Sequence, residues 1–429
     1  MTEPTDPDEA VAALCAAVAA YDQEAAEALV AAGADPDRVL PDGSTPLLRA
    51  VESGSRAMVG ALLWSQDLPD PEERLPEAER ARLLDAARRW YRAGAEAELR
   101  RLTGAAGPAE TSMVEEQWCQ VEQIALGGLT VRAGHGAVLT VLERVFGIVA
   151  TPEELVERAV RHPDPFHVDW AESRYLLGER SAEGARETVT ALRHHASAGH
   201  RLFAADWLWG RQHVDAYPHH EEDLETLAVW ADLETDPVVL AAVLMALGAG
   251  DGEHPRLEAI ALRSAGHPDP RVRVQAVECL GWYDRSFTAA EHEAMRVLVG
   301  DPDDAVRFGA VRSLLSAEGG EDVEALRGVV RDLARDPRSP MRQSAADSMA
   351  ESADRTAEAT ELLLSLLDAD DWLTRMIGAY GLALRDHPGT PRAYARVEEL
   401  GPLHGPDHRV NALWDWQQRN GAGAAGGGA

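Results

Sequence analysis

The sequence predicts an all-α protein: a right-handed α-solenoid of about eight similar helix pairs, preceded by a short module of a second repeat type. Three observations predict it. One short pattern recurs about every 34 residues over the C-terminal two-thirds of the chain. Helix-starting turns built on Asp and Pro punctuate that pattern. The 45% hydrophobic content is mostly Ala, Leu and Val with only 5% aromatic residues, which suits closely packed helices.

The repeat is read from one register. Its second aligned position falls at His167, Arg201, Val239, Arg273, Arg307, Arg342, Arg375 and Arg409. A small residue follows, as at Ala204, Ala276, Ala310 and Ala345, with a large apolar one a helical turn later, at Leu208, Leu280, Leu314 and Met349. Small before large lets neighbouring helices approach and interlock. Each match is preceded by another apolar helix-like run and by a turn such as His267-Pro268-Asp269-Pro270 or Asp301-Pro302-Asp303. Asp269 suits an N-cap with Pro270 at the first helical position. Thr151–Glu154 and Thr288–Glu291 have the spacing of capping boxes.

The pattern Asp-x-Asp-x-x-Val-Arg-x-x-Ala-x-x-x-Leu at Asp301 to Leu314 resembles HEAT-type repeats. The resemblance spans 161–419, with units 267–350 closest to the pattern and the first two and last units departing from it. The N-terminal segment differs. Gly33-Ala34-Asp35, then Asp42-Gly43-Ser44-Thr45-Pro46-Leu47-Leu48, resembles ankyrin repeats, with two clear units at 8–66 and a diverged third at 81–103. The expected organisation is an ankyrin-like helical module at 8–107, a linker at 104–112, a helical adaptor at 113–160, the HEAT-like solenoid at 161–419 and a flexible Gly/Ala tail at 420–429. The joint arrangement is similar to actinobacterial ankyrin/HEAT repeat proteins, a resemblance that implies no activity.

Charge narrows the function. With 73 acids against 41 bases the net charge is −32, which opposes binding to nucleic-acid phosphates or anionic lipid. It suits a protein or peptide partner, a basic one above all. All 41 bases are arginines. The absence of lysine excludes Schiff-base chemistry, Walker A phosphate loops and kinase-type phosphate lysines. No Gly-x-Ser-x-Gly elbow, dinucleotide fingerprint or CxxC occurs. Cys15, Cys119 and Cys279 are far apart, which fits a reducing compartment. The acidic start Met1-Thr2-Glu3-Pro4 lacks the basic opening of a signal peptide, and a cytoplasmic location is expected.

Two constellations remain. The arginines at the recurring position form a ladder: Arg273, Arg307, Arg342, Arg375 and Arg409, with Arg201. Acids stand four residues earlier at Asp269, Asp303 and Asp371. The expected role is structural, each arginine pairing with an acid in its own or a neighbouring turn. The second is a His/Trp-rich stretch at 162–230, holding His162, His167, Trp170, His194, His195, His200, Trp207, Trp209 and His213. Its residues are binding candidates, weighed against core packing. Their spacing matches no metal motif, and neither a metal nor a cofactor is called for. The expected function is a protein-interaction scaffold presenting an acidic concave surface formed by the second helices. The alternative is an enzyme, with or without a metal, acting on a peptide or small molecule at 162–230. HEAT-like DNA glycosylases need a cationic face for the duplex, which the charge opposes.

Overall fold

The computed structural model describes residues 7–65, 68–179, 183–214, 217–250, 254–281, 287–316, 323–398 and 407–421. From residue 422 on, the expected Gly/Ala tail lies outside them. The chain divides into two compact units, 1–217 and 218–429.

Unit 1 opens with α1 (Pro7–Ala20), α2 (Gln23–Ala31), α3 (Pro46–Ser53), α4 (Arg56–Leu63), α5 (Pro71–Arg74), α6 (Glu77–Ala93) and α7 (Ala95–Thr103). The Thr-Pro-Leu-Leu motif explains the start of α3. Thr45 Oγ1 accepts the Leu48 amide at 3.0 Å, and Pro46 occupies the first turn, where its missing N–H costs nothing. Leu14, Leu47, Met58, Leu62 and Leu83 form one buried core.

The next segment departs from expectation. In place of a wholly helical adaptor at 113–160 there is a three-stranded antiparallel sheet: β1 (Glu110–Glu116), β2 (Cys119–Leu126) and β3 (Leu129–Arg132). The linker expected at 104–112 already contributes Glu110 to Ser112 to β1. The fold is therefore mostly helical but not all-α. Val114, Val121 and Ile124 are the β-branched residues of the first two strands, set among glutamates that strands disfavour, and Gly127-Gly128 is a hairpin turn with φ of 60° and 84°. The helical part of the adaptor follows as α8 (His135–Val145) and α9 (Pro152–Val160), with the Thr151–Glu154 capping box formed at the start of α9. Val138 and Leu142 of α8 belong to the same core as α1 to α4 and α6.

Unit 1 ends with α10 (Val168–Glu179), α11 (Glu183–Ala191), a 3-10 turn (Leu192–His194) and α12 (Ala198–Gln212). The first two segments of the sequence register thus lie in this unit.

The described residues of unit 2 form twelve helices in succession: α13 (His220–Ala231), α14 (Pro237–Gly248), α15 (Leu257–Ser264), α16 (Pro270–Leu280), α17 (Ala289–Leu298), α18 (Asp304–Ser316), α19 (Val323–Arg335), α20 (Arg342–Glu351), α21 (Ala357–Leu366), α22 (Trp372–Ala383), α23 (Thr390–Glu398) and α24 (His408–Gly421). Second helices pack on second helices of the next pair, α14 on α16, α16 on α18, α20 on α22 and α22 on α24. The small-then-large pattern lies at these seams. Ala276, Ala310 and Ala345 are wholly buried, as are Leu280, Leu314 and Met349 to within 5%. No helix among the described residues is long and apolar enough to cross a membrane.

Candidate functional site

The ladder is a set of turn clamps. Asp269, Asp303 and Asp371 are not the partners of the arginines four residues on. They cap α16, α18 and α22, accepting backbone amides of Arg271, Ala305 and Thr374 at 2.8–3.0 Å. Their carboxylates serve the helix starts, that of Asp269 also the Arg271 guanidinium and that of Asp371 the Gln343 amide, and the arginines four residues on turn elsewhere. Arg273 Nη1 donates to the carbonyl of His267, six residues back, and Arg307 Nη1 to that of Asp301, at 2.9 and 2.7 Å. Arg375 Nε reaches the equivalent carbonyl of Ala369. Arg273 also grips the next turn's Asp301 through Nε and Nη2, both at 2.7 Å. Arg409 pairs with Asp407 and Asp347. Arg342 breaks the series, its Nε buried without a partner.

The His/Trp residues do not converge on one surface. Trp170 is wholly buried, donates Nε1–H to Asp206 at 2.7 Å and meets Phe203 edge-on. Trp207 is buried, with Arg211 over its ring. Trp209 is half-buried against His213, whose Nδ1 bonds the Trp209 carbonyl at 2.9 Å. His194 is exposed on the 3-10 turn. The other four histidines form two stacked pairs, His162 with His167 at 4.0 Å and His195 with His200 at 3.9 Å between ring centroids. The signal was present as His-x-x-x-x-His twice, one repeat apart.

Glu122 of β2 joins the first pair, its Oε2 lying 3.3 Å from His162 Nδ1. The three side chains offer ligand atoms within 4.8 Å of one another. The geometry does not suit a metal ion. The two rings are 9° from parallel, so their in-plane lone pairs cannot meet at one point. The Asp169 amide donates to His167 Nδ1 at 3.1 Å, so the hydrogen of the neutral ring sits on Nε2. That Nε2 is buried without a partner among the described residues. Binding a cation there would turn Nδ1–H against the Asp169 N–H.

Beside this group lies a cleft of about 430 Å³ that the sequence reading missed, lined by Trp90, Tyr91, His135, Arg161, His162 and Asp169 among others. His135 lies flat on Trp90, with centroids 4.8 Å apart and planes within 2°. His135 Nε2 is 3.2 Å from the Glu52 carbonyl. Burial holds the His135 pKa down at about 4. Asp169, 1% exposed, accepts the Ala137 amide at 2.6 Å. Burial pushes its pKa up to about 7 against the pull of that bond and of Arg161. His167 falls to about 3 through burial and the neighbouring His162. Trp90 Nε1 has no hydrogen-bond partner among the described residues.

Together these features define a helical-repeat protein with a sheet-bearing N-terminal unit. A family model described as HEAT repeats matches residues 224–314 and 255–350, so unit 2 carries HEAT repeats over that stretch. HEAT-repeat proteins commonly act as protein-interaction scaffolds. No curated protein matches this chain. Among solved structures it is similar to the Escherichia coli protein YIBA_ECOLI, at 14% identity and a TM-score of 0.43, covering 63% of this chain and 93% of that one. It is also similar to an engineered protein at 15% identity and a TM-score of 0.36, covering 96% and 98%.

Proposed function

We propose that this chain is a protein-interaction scaffold whose partner is a basic protein or peptide segment, held by the acidic first helices α13, α17 and α21 of unit 2. One observation carries the reading: α13 has four carboxylates and no arginine, and Glu221, Glu222 and Glu225 are exposed. Glu293 of α17 and Glu358 and Glu361 of α21 are likewise exposed on first helices. The acidic face expected on the second helices is placed differently in this reading. α14 carries no charge, and α16, α18, α20, α22 and α24 each bear at least one arginine, whereas the first helices α13 and α21 have carboxylates and no arginine. The reading also takes the repeats as a right-handed solenoid of about eight pairs, the N-terminal helical module at 8–107 as ankyrin-like, and the compartment as cytoplasmic.

The test is fluorescence anisotropy with a labelled arginine-rich peptide and its glutamate counterpart. Binding of the basic peptide should weaken with salt and drop on reversing Glu221, Glu222 and Glu225 to Arg. Equal affinity for both peptides, or indifference to the reversal, would sink the reading.

A second reading rests on the cleft of unit 1. A buried carboxyl with pKa about 7, lining the same cleft as an indole N–H without a partner among the described residues, is an arrangement that suits a small polar ligand or acid–base chemistry. A ligand panel in which no compound raises the melting temperature of the wild type above that of Asp169→Asn would count against it.

A further inference from the structure

The sheet of unit 1 has an open edge. In the order β1-β2-β3, β1 pairs only with β2 among the described residues. Its register ends on Glu116 opposite Cys119, across the two-residue turn Gln117-Trp118, whose φ angles are 49° and 70°. A two-residue turn of this kind makes Glu116 and Cys119 a pair that exchanges both hydrogen bonds. Alternation then turns the amides and carbonyls of Thr111, Met113 and Glu115 away from β2. The partner strand agrees with this phase: on its far side, the Gln120 amide donates to the Phe166 carbonyl and the Glu122 carbonyl accepts from Ala133. Among the described residues, no hydrogen bond reaches the outward backbone groups of Thr111, Met113 or Glu115.

Open edges are usually blunted by proline, lysine, a bulge or a covering element. β1 has no proline, lysine or bulge, and its first four residues are exposed. Met113 is 51% exposed, and Trp118 at the strand's end is 91% exposed. The charges on the edge are Glu110 and Glu115, both exposed. They decide the occupant. A second copy would bring the same glutamates, from a chain of net charge −32, against themselves, and like charges facing across a ladder destabilise it. Glu110 and Glu115, five residues apart, stand on opposite faces of the sheet, and a segment carrying arginine or lysine at alternate positions pairs with one or the other according to its register.

We propose that the outer edge of β1 is a docking site at which an extended basic segment of a partner protein adds as a fourth strand, with Trp118 as an aromatic contact at its end. Backbone pairing supplies affinity, and Glu110 and Glu115 supply selectivity. The inference shares the basic-partner chemistry proposed for unit 2 but rests on a different part of the chain.

The test uses the full chain and two labelled octapeptides, one alternating valine and arginine, the other valine and glutamate. Binding is read by anisotropy in Glu221→Arg/Glu222→Arg/Glu225→Arg protein, which removes the α13 contribution. The valine–arginine peptide should bind, and the valine–glutamate peptide should not. Bound peptide should slow hydrogen exchange at Thr111, Met113 and Glu115. Met113→Pro deletes an outward N–H without touching the β1–β2 ladder, and should weaken binding by about fivefold or more at unchanged melting temperature. Thr111→Pro is the substitute if Met113→Pro lowers the melting temperature, and Glu110→Arg/Glu115→Arg should lower affinity independently of the backbone. The proposal is overturned if exchange at the three amides is unchanged or if both proline variants bind as the wild type does. A dimer in sedimentation that Met113→Pro dissolves would also overturn it, because the edge would then belong to a second copy.

Discussion

The Asp169 carboxylate accepts the Ala137 amide at 2.6 Å, so a residue of α10 caps the first turn of α8. The position that would carry a local cap is Gly134, which has no side chain to offer. The fit is close: a Cβ on Gly136 would stand 2.4 Å from Asp169 Oδ2. Asp169→Ala should cost about 1–3 kcal/mol in urea unfolding, through the lost cap and the amide left unpaired. Asp169→Asn keeps an acceptor oxygen and removes the titration. The folded pKa of about 7 stands above the unfolded value near 3.9. The folded chain therefore holds the proton between those values where the unfolded chain has lost it. Wild-type stability relative to Asp169→Asn should fall as pH rises from about 4 to 7, by at most about 1.4 kcal/mol per unit. A difference that stays flat across this range would contradict the buried-acid account.

His167, whose Nδ1 accepts the Asp169 amide, has the opposite sign. Its folded pKa of about 3 lies below the unfolded value near 6.5. The unfolded chain takes up the proton first on acidification. Stability relative to His167→Asn, whose side-chain oxygen can take over the amide, should hold above pH 6.5 and drain away toward pH 3. His135, at about 4, contributes in the same direction. Urea midpoints of wild type and both variants at pH 7, 5.5 and 4.5 separate the two slopes. A His167→Asn series parallel to wild type would show that the imidazole is not the group that titrates.

What the sequence showed, it showed through local chemistry. Thr45-Pro46, Thr151-Pro152 and Asp269-Pro270 start helices because each motif satisfies the orphan amides of its own first turn. The alternation of Ala276 with Leu280 was readable because helix period and helix packing coincide there. The sheet was not readable beside so much helical pattern, since strands of four to eight residues carry little periodicity. Nor was the cleft. Trp90, His135 and Asp169 lie on three helices, and each looks like an isolated core residue until the chain folds. The aspartates of the ladder misled in a simpler way. Four residues before an arginine is helix-pair spacing, but Asp269 and Asp371 stand just outside the helix and serve its amides.

Gly54 offers a sharper test of the junction between α3 and the sheet. Its φ is +69°, and a Cβ there would lie 1.9 Å from the Arg132 carbonyl oxygen and 2.5 Å from the His135 ring. Gly54→Ala should therefore destabilise by more than about 2 kcal/mol, adding backbone strain to a collision with main chain. Gly33 and Gly43 also have positive φ, but nothing lies within 4 Å of an added Cβ. Their alanine variants should cost about 1 kcal/mol each. Thermal melts of the three variants should rank Gly54→Ala far below the other two. Equal losses would mean that the α3 turn yields without moving β3.

The bond between Arg273 and Asp301 spans two successive turns, and both side chains are nearly buried, at 11% and 7% exposure. The guanidinium meets the carboxylate in a two-point fork and spends a third donor on the His267 and Pro268 carbonyls. Lysine reproduces the charge but not the fork, so Arg273→Lys should lose most of what Arg273→Ala loses. Asp301 does double work, since its carboxylate also accepts the Asp303 amide at 2.9 Å. A double-mutant cycle with Asp301→Asn should therefore show a coupling of about 1–3 kcal/mol, with each single change costing more than the pair is worth, because it strands the other partner. Arg342→Ala is the internal comparison. Its Nε has no partner, so the loss should stay within about 1 kcal/mol. If Arg342→Ala and Arg273→Ala destabilise unit 2 equally, the arginines act through their aliphatic stems against the neighbouring helix, and the fork to Asp301 is incidental.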